Sequence, residues 1–166
     1  MIAHRWRLCH YDPALRDARG AFRGDSWTSC SDVGQSFDGI QLTWERYLTA
    51  EDAHVSCALD FLADSGLAAL QVVGLEQRGG GRAPPEAVEL PTLAEGIELG
   101  LDDLEAVLRG LLREQLWCRL EAPDFYLHVG YDYYLYIGSS QPCPAGLAKA
   151  RERGLFVEEK ASPYEA

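Results

Sequence analysis

The stretch from Phe125 to Ile137, FYLHVGYDYYLYI, constrains the chain more than any other. One parity (Phe125, Leu127, Val129, Tyr131, Tyr133, Leu135, Ile137) is apolar or aromatic throughout. The other (Tyr126, His128, Gly130, Asp132, Tyr134, Tyr136) carries an imidazole, a carboxylate and three phenols. A period of two marks extended chain, because successive strand side chains point to opposite faces. The run therefore reads as sheet with the first set buried and the second presented outward. It can be one long strand bent at Gly130, or a tight hairpin at Gly130 and Tyr131 that would scramble the two faces. The alternation survives across the glycine, so the bent strand is the expectation.

Other elements assemble around this run. Arg5 to Tyr11 has the length of a strand, stopped by Asp12 and Pro13. The region 12–42 has no sustained period and reads as a long loop, ordered because it carries Phe22, Trp27, Val33 and Phe37. Thr43 to Leu48 suggests a short helical turn. Thr49 is placed to cap a helix with Val55, Ala58, Leu59 and Leu62 on one stripe and Gly66 at its end. Leu70 to Leu75 reads as a buried strand, and the Gly- and Pro-rich stretch Arg78–Pro85 continues neither element. A second helix carries the stripe Leu104, Val107, Leu108, Leu111 and Leu112, with Asp102 and Asp103 at its N-terminus; Gly110 costs it about 1 kcal/mol. Leu116–Glu121 reads as a strand, Pro144 to Gly154 as a short helix, and Leu155–Glu159 as a closing strand. The sum is a single α+β domain over 1–166: a mostly antiparallel sheet, two main helices, a short C-terminal helix, and a flexible acidic loop at 77–100.

Charge narrows the function. Fifteen Lys and Arg against 26 Asp and Glu leave a net −11, a poor balance for contacting phosphates, so nucleic acid is not an expected partner. No window approaches the roughly 20 apolar residues that span a bilayer, and the N-terminus lacks the apolar core of a signal peptide; a cytoplasmic protein is expected. Cys9, Cys30, Cys57, Cys118 and Cys143 include no CxxC pair, so they read as core hydrophobes, and neither metal nor cofactor is expected. His4, His10 and His54 stand in no metal-binding pattern and read as structural. Gly79–Gly81 is no phosphate loop, because Pro84 and Pro85 follow it.

Three sets of residues carry candidate chemistry. The second parity, with Tyr126, His128, Asp132, Tyr134 and Tyr136, would form a rigid amphipathic patch of the kind enriched in binding hot spots. His128 and Asp132 lie roughly 13 Å apart on an extended strand, too far for a direct hydrogen bond. Cys143, just before a helix, could have its thiolate stabilised there, but no histidine lies near it in sequence. Glu86, Glu89, Glu95, Glu98, Asp102, Asp103 and Glu105 form an acidic tract without Lys or Arg, able to steer the chain toward a cationic cleft. A binding protein is thus the leading expectation. A small hydrolase or transferase using Cys143, or His128 with Asp132, and a ligand-binding sensor domain are the alternatives.

LWCRLEAPDFYLHVGYDYYLYIG, from Leu116 to Gly138, and GLFVEEKASPY, from Gly154 to Tyr164, resemble a group of bacterial proteins that includes immunity proteins of toxin systems. The resemblance covers the last third of the chain and carries no catalytic signature. It implies a non-enzymatic cytosolic antitoxin that blocks the active site of a protein toxin or effector with a basic cleft.

Overall fold

The computed structural model describes residues 1–77 and 87–166; the Arg78–Pro85 stretch and Glu86 lie outside the described residues. The chain runs β1 (His4–Cys9), a small hairpin of β2 (Ser36–Phe37) and β3 (Ile40–Gln41), α1 (Trp44–Asp64), β4 (Ala69–Gln77), β5 (Glu98–Gly100), α2 (Leu101–Leu112), β6 (Leu116–Ala122), β7 (Phe125–Val129), β8 (Leu135–Ser139), α3 (Pro144–Glu152) and β9 (Phe156–Glu159). Among the described residues seven strands form one sheet in the order β5-β4-β6-β7-β8-β1-β9, and every neighbouring pair is antiparallel. The fold is α+β in a single domain, with the sheet's main core on the side covered by the helices.

The period-two run is a hairpin and not a bent strand. Phe125 pairs with Ser139, Leu127 with Ile137 and Val129 with Leu135, and a single turn of 3-10 helix at Tyr131–Tyr133 reverses the chain. Asp132 and Tyr133 make the reversal at φ of 60° and 62°. Each pairing joins residues of equal parity, so the alternation passes unbroken from one arm to the other and the two faces are not scrambled. Phe125, Leu127, Val129, Leu135 and Ile137 all face the core with Trp6 and Leu8 of β1.

Helix α1 is one element. The Thr43 hydroxyl accepts the Arg46 N–H at 3.2 Å, so Thr43 is the cap, and Thr49 lies inside the helix with its hydroxyl donating to the Glu45 carbonyl at 3.0 Å. Its buried stripe runs Tyr47, Glu51, His54, Val55, Ala58, Phe61, Leu62 and so includes a carboxylate and an imidazole. In α2 the Gly110 position is set by close approach: an added Cβ would lie 2.7 Å from Leu116 and 2.9 Å from Leu90. The helix accepts a poor former there because β6 and the segment before β5 press against it.

The expected acidic loop at 77–100 is shorter than its limits. Gln77 ends β4, and Glu98–Gly100 is strand. Ahead of it, Val72 exchanges backbone hydrogen bonds with Gly96 and Ile97 at 2.8 and 2.9 Å. The pairing of β4 with β6 shifts register between Val73 and Glu76, where Gly74 has a φ of 67°. The Glu95 carboxylate accepts the Gly74 and Leu75 N–H groups of this bulge at 2.8 and 2.9 Å, and those bonds hold its pKa below the usual carboxylate value. The region 12–42 contributes Cys30, Val33 and Leu42 to the core and contains the β2–β3 hairpin.

Candidate functional site

The face expected to meet solvent is covered. Tyr126, His128 and Tyr136 are 4%, 1% and 7% exposed, and Tyr134 is half-buried. The sequence pattern identifies the faces of a strand and cannot say what lies over each, and here two distant segments do. The C-terminal residues cover one half. His128 Nε2 meets Glu121 Oε1 at 3.0 Å and Nδ1 meets Ser162 Oγ at 2.7 Å. A carboxylate only accepts, so Nε2 carries the proton and Ser162 donates to Nδ1. Tyr126 donates to Glu165 at 3.2 Å, and Arg5 forks onto the same carboxylate at 2.8 and 2.6 Å. The Tyr126 ring lies so close over Gly138 that an added Cβ there would come within 2.2 Å of it.

The other half lies under 12–24 and β9. The Arg7 guanidinium sits 4.3 Å from the centre of the Tyr134 ring, and Arg16 donates to the Tyr134 hydroxyl at 2.9 Å. Both arginines pair with Glu158, at 3.1 and 2.9 Å. Tyr126, His128, Tyr134 and Tyr136 therefore form an internal polar layer and not an exposed patch. His128 is directed to Ser162 and Glu121, and the hairpin does not bring it to Asp132, which is exposed in the loop.

Ser162, His128 and Glu121 reproduce the order of groups in a proton relay, which sequence reasoning missed because Ser162 lies 34 residues from His128. The hydroxyl also accepts the Tyr164 N–H at 3.1 Å, and Ser162 is 6% exposed. Its geometry is that of a clasp holding the C-terminal segment to the sheet. Ser162→Ala should therefore lower unfolding stability by about 1–3 kcal/mol, since it leaves a buried imidazole nitrogen without a donor. Urea unfolding measures this, and an unchanged midpoint would show that the clasp contributes nothing.

Cys143 is fully buried, with Sγ 3.3 Å from Ser65 Oγ and 3.5 Å from the Gln141 carbonyl oxygen. The thiol is thus packed between α1 and the start of α3, away from solvent. All five cysteines are buried, as core hydrophobes should be. Among the described residues no three His, Cys, Asp or Glu side chains come together as a metal-binding group, and no helix is long and apolar enough to cross a membrane.

The acidic residues divide by role. Glu95 anchors the β4 bulge. Glu89, Glu98, Asp102 and Asp103 are exposed, the last two in the first turn of α2, where they complement the helix dipole. Leu90, Ile97 and Leu101 are exposed among them.

A concavity opens where the hairpin loop, the C-terminal segment, the start of β6 and the end of α2 meet. This cleft of about 230 Å³ is lined by Glu76, Leu111, Glu114, Leu116, Trp117, Val129, Gly130, Tyr131 and Tyr164. Trp117 donates its indole N–H to the Val129 carbonyl at 3.2 Å and meets Tyr164 edge to face at 5.2 Å. Tyr131, expected in the buried set, stands at the mouth 77% exposed, because the 3-10 turn lifts it out of the strand alternation.

The chain matches no protein-family model, curated protein or solved structure.

Proposed function

We propose that the chain is an inhibitory binding protein, an immunity protein that acts in the cytoplasm by covering the active site of a toxin with a basic cleft. One observation carries this reading: the distribution of charge. Arg5, Arg7, Arg16, Arg109, Arg113, Arg119 and Arg153 are all engaged in ion pairs within the fold. Glu98, Asp102 and Asp103 stand outward beside Ile97 and Leu101. Three carboxylates thus stand together on one edge, around β5 and the N-terminus of α2, with apolar side chains that a partner would desolvate. Such an edge suits fast, electrostatically steered encounter with a basic surface followed by apolar contact. The covered tyrosines remain inside as support; Tyr131 and this edge take their place as contact residues.

The test is binding to the purified product of the adjacent gene. A submicromolar complex is expected, with Asp102→Lys combined with Asp103→Lys slowing association at least tenfold in low salt and making little difference in high salt. No complex at micromolar concentrations, or association indifferent to salt and to the charge reversal, would overturn the proposal.

A further inference from the structure

The geometry points to the cleft beside Tyr131 as a receptor for one arginine side chain of a protein partner. This inference deepens the proposed function and rests on it for the identity of that partner as a protein. Three aromatic rings, Trp117, Tyr131 and Tyr164, line the cleft together with the carboxylate of Glu114, while Glu76, which also lines it, has an interaction of its own. Aromatic faces attract cations through the ring quadrupole, most strongly where water is partly excluded, and a carboxylate accepts the guanidinium fork. The volume of about 230 Å³ is smaller than the roughly 300–1,000 Å³ of sites built for cofactors or drug-sized ligands, and suits a single side chain.

The lips of the cleft are held in conformations that carry a cost. Glu114 follows α2 at a φ of 59°, with the Gln115 N–H returning to the Gly110 carbonyl at 3.0 Å, a helix ending in which glycine is the usual occupant. A glutamate in that position aims charge at the mouth where glycine would fold more readily. Opposite it, Asp132 and Tyr133 also adopt left-handed conformations, and they place Tyr131 outside the sheet. Glu114 has no ion-pair partner among the described residues. Arg119, behind Tyr164, is paired with Glu121 at 3.2 Å.

The probe is the peptide acetyl-Gly-Arg-Gly-amide, titrated into the full chain and followed by amide and indole N–H resonances. Its citrulline counterpart, neutral and nearly isosteric, is the control. Saturable shifts centred on Trp117, Tyr131 and Glu114 are expected, with the arginine peptide binding about tenfold tighter than the citrulline peptide. Glu114→Gln and Tyr131→Ala, both changes at exposed positions, should each weaken it several-fold without altering the unfolding midpoint. Equal binding of the two peptides, shifts centred elsewhere, or no shifts would overturn the inference. Failure here alongside a complex with the adjacent gene product removes the arginine receptor alone. Peptide binding without any protein complex removes the proposed function and leaves the cation site standing.

Discussion

Glu51→Ala should destabilise the chain by about 3–5 kcal/mol, a large part of the roughly 5–15 kcal/mol that holds an ordinary domain together. Glu51 is fully buried, and its two oxygens take both arms of the Arg113 guanidinium at 2.7 Å each. Arg109 adds a contact at 3.0 Å, and Tyr47 donates its hydroxyl at 2.7 Å. Arg113 is itself only 3% exposed, so removing the carboxylate strands a guanidinium out of water. That stranded charge, more than the lost attraction, sets the size of the effect. Replacing both partners, Glu51→Leu with Arg113→Met, should therefore cost clearly less than Glu51→Ala alone. Urea unfolding of the two variants decides it; a cost below about 1 kcal/mol for Glu51→Ala would mean that water reaches the pair.

The same network bears on the site. Arg113 immediately precedes Glu114, and Tyr133, two residues beyond Tyr131, donates its hydroxyl to Tyr47 at 3.1 Å. One buried carboxylate thus ties α1 to both lips of the cleft. Arginine-peptide affinity should fall in a Glu51→Gln variant that still folds, although Glu51 does not line the cleft.

How much of this was legible follows from what one-dimensional patterns encode. The α2 stripe, the Pro144 start and Gly154 stop of α3, and the two faces of the 125–137 run are periodic or positional signals, and each corresponds to an observed element. The hairpin was hidden because its register preserves parity, which makes a reversal and a bend identical in the sequence. The burial of Tyr126 and His128 was hidden because their covers, Ser162 and Glu165, approach from the far end of the chain. The Glu51 network left a trace: Tyr47, Glu51 and His54 fall on the stripe that continues through Val55, Ala58 and Leu62. A carboxylate on an apolar stripe calls for a buried cation, and Arg109 and Arg113, four apart on or just after α2, are spaced to meet it. The cleft had no such trace, since it is made where a helix end, a hairpin loop and the C-terminal segment meet.

Acidification should begin to destabilise the protein above the range in which its carboxylates titrate. His54 is fully buried, with Nδ1 donating to the Ala50 carbonyl at 2.7 Å and Nε2 without a partner. His10 donates through Nε2 to the Trp27 carbonyl at 2.9 Å, stacks on Trp27 at 4.0 Å, and leaves Nδ1 without a partner. Burial pushes both imidazoles down to about 4, and His10 is lowered further by the neighbouring His54. Both are neutral in the fold at pH values where the unfolded chain, near the ordinary 6.5, already binds protons. Their contribution is therefore fully present above about pH 6.5 and is lost as the pH falls toward 4, by up to roughly 3 kcal/mol for each imidazole. Burial lowers His128 as well, against the opposing pull of Glu121, which adds loss in the same direction. Burial alone would raise Glu158, but the hydrogen bonds and charges of Arg16 and Arg7 together hold it low. Its contribution is lost only below about pH 4.5, after most of the histidine loss has occurred. Urea midpoints measured from pH 7.5 to 4.5 should fall steeply below 6.5, and His54→Gln should reduce that slope by about half relative to its own stability at pH 7.5. A midpoint constant between pH 7 and 5 would show that the two imidazoles are charged in the folded protein, and that the free nitrogens beside Trp27 and Tyr133 have found acceptors.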